Sequence, residues 1–90
     1  MEHSITEEVV ERVRQMEARF DHLQEALAKS PSAIRQDRYL QEQLRILMEY
    51  YEGGQWLRDY ELDELGLLPE DLKRGVLAQD GLYDLFARIS

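Results

Sequence analysis

No cysteine occurs among the 90 residues, so disulfides, thiolate metal sites and thiol nucleophiles are excluded together, and stability has to come from packing. Proline occurs only at Pro31 and Pro69 and glycine five times, which leaves long stretches with nothing to interrupt a helix. No segment reaches the roughly 18 consecutive apolar residues of a spanning helix. The opening Met1, Glu2, His3, Ser4 lacks the basic-then-apolar layout of a signal peptide. These two absences lead us to expect a cytoplasmic chain that makes no use of a membrane. Cationic residues are also scarce. Lys and Arg number 11 against 19 Asp and Glu, a formal net charge of -8, which opposes the phosphate neutralisation behind direct DNA or RNA binding and suits a basic protein partner better. The imbalance is concentrated, since residues 49–84 hold ten carboxylates against only Arg58, Lys73 and Arg74.

What is present reads as helix. With 43% hydrophobic and 33% charged residues the chain has the balance of one globular domain over residues 1–90, with a small core. From Ile5 to Lys29 the apolar positions Ile5, Val9, Val13, Met16, Phe20, Leu23 and Leu27 recur every three or four residues, which predicts a helix over 5–29 with one narrow seam. Ser4 and Glu7 have the spacing of a capping box at its start, and Ser30-Pro31-Ser32 ends it. The stripe Leu40, Leu44, Leu47, Tyr51, widened by Met48, predicts a second helix over 33–52 with Gly53 as its left-handed cap. So short a connection makes the two antiparallel neighbours. The near-heptad first seam also suits pairing with a second copy of the chain.

Residues 55–89 divide into short pieces. A helix from Trp56 to Leu65 puts Trp56 and Tyr60 on one face and closes at Gly66. Pro69 at a first helical position, acids after it and Lys73-Arg74 before Gly75 predict a helix of one or two turns. Asp80 is placed to cap a last helix carrying Leu82, Leu85, Phe86 and Ile89. No strand alternation or repeat occurs. The expected architecture is all-α, a long antiparallel two-helix hairpin with three short C-terminal helices packed across it.

The candidate sites are sparse. Glu49-x-x-Glu52 and Glu61-x-x-Glu64 each place two carboxylates on one helical face, the arrangement by which all-α nucleotide pyrophosphohydrolases hold a divalent cation. Here no ExxD companion and no cluster of phosphate-grasping bases accompanies them. Such pairs arise routinely on solvated faces of an acidic chain, so a metal-dependent hydrolase is the alternative reading and we expect no cofactor. Serines and threonines fall at helix boundaries, and neither His3 nor His22 stands in a nucleophile-base pattern, so no catalytic residue is assigned. The better candidate is a docking surface of Tyr50, Trp56, Asp59, Tyr60, Asp63, Glu64 and Leu67, because Trp and Tyr amid charge dominate protein interfaces. Its competitor is structural: Trp56 and Tyr60 at i, i+4 are the spacing of a wide anchor that buries the short helix on the hairpin, with Asp59, Asp63 and Glu64 as its solvated face, and Tyr50, beside the seam residue Tyr51, left facing outward. On the docking reading the protein is a non-enzymatic interaction module of adaptor or inhibitor type, with mimicry of nucleic acid by the acidic half as a further alternative.

The stretch from Tyr50 to Phe86, "YYEGGQWLRDYELDELGLLPEDLKRGVLAQDGLYDLF", resembles a family of small acidic helical bacterial proteins, the domain of unknown function DUF4298. The resemblance rests on the pair Tyr50-Tyr51, on Trp56, Asp59 and Tyr60, on Asp63-Glu64, on Pro69 and Asp71 through Leu77, and on Asp80, Gly81 and Tyr83. Relatives carry Ser-Glu where this chain has Ala78-Gln79, which removes a serine cap before the last helix. The resemblance implies a bacterial source and a compact helical domain, and it implies no activity.

Overall fold

The structure is a computed structural model that describes residues 2–89, with side chains from Glu7 to Ile89. It is all-helical, with no strand among the described residues. The first helix, α1, runs Glu2–Lys29 and turns Val9, Val13, Phe20, Leu23 and Leu27 inward, with Val10 buried beside them and Met16 half-buried. The helix is already under way at Ser4, so the predicted start at that residue is corrected. The side chains of Ser4 and Ile5 lie outside the described residues.

The second predicted helix is two. After a turn at Pro31, α2 covers only Ala33–Gln36, and the chain then extends at Asp37 (φ -112°, ψ 115°) before α3, Arg38–Glu52. The reason is local chemistry. The Asp37 carboxylate accepts the N–H groups of Tyr39 at 2.8 Å and Leu40 at 3.4 Å, orphan donors of the first turn of α3, and an aspartate that caps a helix start competes with the same residue continuing a helix.

Buried positions on α3 are Leu40, Gln43, Leu47 and Tyr50, while Leu44 and Tyr51 are half-buried and Met48 is exposed. The inward face is therefore rotated from the expected Leu40, Leu44, Leu47, Tyr51 stripe. Against α1, the His22 ring meets Tyr39 edge-on at 5.5 Å and Arg19 donates to Gln43. Nearer the other end Arg12 reaches the carboxylate that Tyr50 also binds. Contacts thus climb α1 as they descend α3, and the bond from α1 to α3 is polar as well as apolar.

Gly53 is right-handed (φ -80°) and ends α3 by donating its N–H to the Glu49 carbonyl at 2.8 Å. It is Gly54, at φ 97°, that takes the left-handed conformation assigned to Gly53, and it launches α4, Gln55–Glu64. That helix closes at Gly66 (φ 74°) as expected. The Gly66 N–H bonds to the Asp63 carbonyl at 2.9 Å and the Leu67 N–H to Leu62 at 3.1 Å, the paired bonds of a Schellman stop.

The predicted helix after Pro69 does not form. A single turn, Leu72 N–H to the Pro69 carbonyl at 3.2 Å, leads into a short 3-10 turn at Gly75–Leu77. Good capping signals cannot sustain a helix of one or two turns, because nucleation is costly and the segment is held instead by its anchors. Leu68, Leu72, Val76 and Leu77 are all buried, and Arg74 folds back on the carbonyls of Leu72 and Pro69. The last helix, α5, spans Gly81–Ile89 and turns Leu82 and Leu85 inward. Helix α1 packs against α3, the 3-10 turn and α5, which places the core along its length in a molecule of 43 × 23 × 21 Å.

Candidate functional site

Asp59 lies at the centre of the polar interior. Its residue has no exposed surface, and its carboxylate receives three bonds. Arg12 Nε donates to Oδ2 at 2.9 Å, Arg12 Nη2 to Oδ1 at 2.6 Å, and the Tyr50 hydroxyl to Oδ2 at 2.7 Å. The prediction that Asp59 stays solvated and Tyr50 faces outward is thereby overturned, since Tyr50 is only 2% exposed. The cause is mutual. An ion removed from water is tolerable only when paired and hydrogen-bonded, and α4 delivers this carboxylate to a place where α1 offers a planar guanidinium and α3 a phenol. Burial first, and then the bond to Asp59, push the Tyr50 hydroxyl well above its ordinary range, with Arg12 opposing, so it serves as a neutral donor. The bond to Asp59 raises Arg12 further, and it stays charged.

A second polar link holds the 3-10 turn. The backbone N–H of Val76 donates to Glu17 Oε1 at 2.7 Å and its carbonyl accepts from Trp56 Nε1 at 2.9 Å, so both backbone polar groups of this buried residue are satisfied by side chains of α1 and α4. Trp56 is buried, stacked on Tyr60 with centroids 5.1 Å apart and planes at 17°, and packed at 5.1 Å against Tyr51. Tyr51 in turn meets Phe86 edge-on at 5.7 Å, so aromatic rings connect α4 through α3 to α5.

The residues predicted to dock a partner are thus separated by depth. Tyr50, Trp56 and Asp59 are structural interior. Tyr60 is half-buried and donates to Glu64 Oε1 at 3.0 Å, a bond that raises its hydroxyl above the usual range, while half-buried Asp63 is paired with Arg74. Only Glu64 and Leu67 are exposed. The carboxylates of the metal alternative do not converge. Glu49 is bound by Arg45, and Glu52, Glu61 and Glu64 are exposed. Among the described residues no group of three or more His, Asp or Glu is gathered as a cation would require.

Exposed apolar surface occurs elsewhere. Leu44 and Met48 of α3 face Tyr83, Phe86, Ala87 and Ile89 of α5 across an open groove of about 340 Å³. Met48 is 38% and Tyr83 63% exposed, large for side chains of their kind. At about 100° per residue, Glu52 follows Met48 by one turn of α3, and on α5 Asp84 stands next to Tyr83 with Arg88 one turn beyond it, while Asp80 precedes that helix. All four are exposed. The neighbouring Arg45 is engaged by Glu42 at 2.5 Å and by Glu49. The side chains that line the groove are aliphatic or aromatic.

Sequence reasoning missed Arg12, Glu17 and this groove. Glu17 had a legible signal, because it falls four residues after Val13 and three before Phe20, a charge on the buried face. Gln43, between Leu40 and Leu47, is a neutral polar counterpart on the buried face of α3. Arg12 had none, since its partner is 47 residues away.

The family described as a domain of unknown function (DUF4298) matches residues 13–90, and so takes in Glu17 and both walls of the groove. No curated protein and no solved structure matches the chain. No helix among the described residues is long and apolar enough to cross a membrane.

Proposed function

The chain belongs to the family described as a domain of unknown function (DUF4298), and from that premise we propose that it is a non-enzymatic protein–protein interaction module, an adaptor or inhibitor, docking through the groove between α3 and α5. The observation that carries this reading is the contrast between interior and surface. The ionisable side chains Arg12, Asp59 and Glu17 are engaged in bonds that tie α1 to α4 and to the 3-10 turn, whereas Met48 and Tyr83 present apolar surface to solvent. In this reading α1 and α3 form the antiparallel hairpin that serves as scaffold, and the short C-terminal elements lie across it so that α5 supplies the second wall. The docking surface moves accordingly from the Trp56–Tyr60 face, which the aromatic packing occupies, to the groove lined by Leu44 and Met48 of α3 and by α5.

The test is capture of the chain from the cells that encode it, with wild type beside Tyr83→Glu and, as control, Leu57→Glu on exposed α4 surface. A stoichiometric partner retained by wild type and the control but lost from Tyr83→Glu supports the reading. A partner held equally by all three moves the interface elsewhere and overturns it.

A further inference from the structure

Resting on that docking reading, we infer that the occupant of the α3–α5 groove is a basic amphipathic α-helix presented by another protein. Three observations converge. Two helices form the walls, α3 of 15 residues and α5 of 9, and the shorter wall extends about 13 Å. A third helix of some two turns fits such a trough, setting apolar residues at i, i+3 or i+4 and i+7 onto its floor. Second, the floor combines Met48 with the rings of Tyr83 and Phe86, side chains that adapt to and grip an apolar stripe. Third, the chain carries a net charge of -8, with exposed Glu52 on α3, Asp84 on α5 and Asp80 just before that helix against Arg88 of α5, while Arg45 is already held by two carboxylates. Lys or Arg flanking the apolar stripe of the incoming helix would meet this negative field.

Charge also selects among occupants. A second copy would bring another -8 to the contact, and an anionic bilayer would be repelled. A basic helix is attracted by the whole molecule, so its association rate and affinity fall with salt.

The probe is a fluorescent 14-residue peptide with leucines at i, i+3, i+7 and i+10 and lysines elsewhere, followed by anisotropy at about 50 and about 300 mM salt. A twin with every lysine replaced by glutamate is run beside it. Tyr83→Glu and Met48→Asp are the groove variants, checked as folded by circular dichroism, and the chain alone is sedimented. The expected result is binding of the lysine peptide, weaker at the higher salt and weakened about tenfold or more by either groove variant. The direction is diagnostic because both variants add negative charge. Simple charge attraction would leave binding unchanged or tighter, and that result overturns the inference. Tyr83-dependent binding of the glutamate twin overturns the basic occupant yet leaves the docking reading standing. Self-association of wild type that Tyr83→Glu abolishes makes a second copy the occupant instead. Absence of peptide binding, with the cellular partner still lost from Tyr83→Glu, removes the helix and keeps the docking surface; loss of neither removes both.

Discussion

Asp59, Arg12 and Tyr50 form a unit whose members cannot be exchanged one at a time. Removing the carboxylate in Asp59→Ala leaves a guanidinium and a buried phenol without their acceptor, and the expected loss is about 3 kcal/mol in urea unfolding. Replacing all three together by apolar residues of similar volume should cost less than that single change, because no partner is then stranded. A larger loss in the triple variant would show that the network stabilises beyond its pairing. Tyr50 adds a pH dependence. Its folded-state pKa is raised above the unfolded value of about 10. The native state therefore keeps its proton where the unfolded chain loses it, so this contribution is intact below pH 10 and declines as pH rises beyond. The slope is at most about 1.4 kcal/mol per pH unit. Tyr50→Phe should lower stability at neutral pH and flatten the alkaline decline relative to wild type; an equally steep decline would assign the effect to other groups.

At the level of elements, hydrophobic period and caps made the helices legible, and their ends were legible where one residue type decides the backbone. Pro31 and Gly66 ended helices as expected, since neither depends on a distant partner. Asp37 was legible in principle, being a capping residue inside a run of helix formers, but periodicity continues across it. Asp37→Ala should cost about 1 kcal/mol and could fuse α2 with α3, read as lower stability with unchanged or higher helical circular dichroism. The rotation of α3 gives a sharper check. Leu47 has no exposed surface, whereas Leu44 is half-buried at the groove. Leu47→Ala should therefore cost about 2–5 kcal/mol and Leu44→Ala clearly less. Equal losses would return the inward face to the stripe read from spacing. The residues after Pro69 teach the opposite lesson from Gly66: every local signal there favoured a helix, and four buried anchors drew the chain into a turn.

For the whole molecule, charge and shape act together. The seam of α1 is filled by α3, the 3-10 turn and α5 of the same chain. With a net charge of -8 on so small a domain, copies should repel, and sedimentation at low salt is expected to give a monomer. Added salt should raise the thermal midpoint modestly by screening that repulsion. A concentration-dependent dimer at low salt would count against this balance and would direct attention to the exposed faces. The apolar groove follows from the same scale, because neither α3 nor α5 contains it alone.

The amino-acid order alone determined the helical class, most helix ends and the concentration of negative charge. Each of these depends on residues within a turn or two of one another. Only tertiary packing decided that Tyr50 rather than its neighbour Tyr51 would turn inward, that Asp59 would be enclosed by Arg12, and that Met48 and Tyr83 would share a groove. The rotation of a helix about its axis and the identity of its partners depend on contacts between residues as far apart as Glu17 and Val76, 59 positions along the chain. A period of 3.6 residues carries no information about what stands opposite.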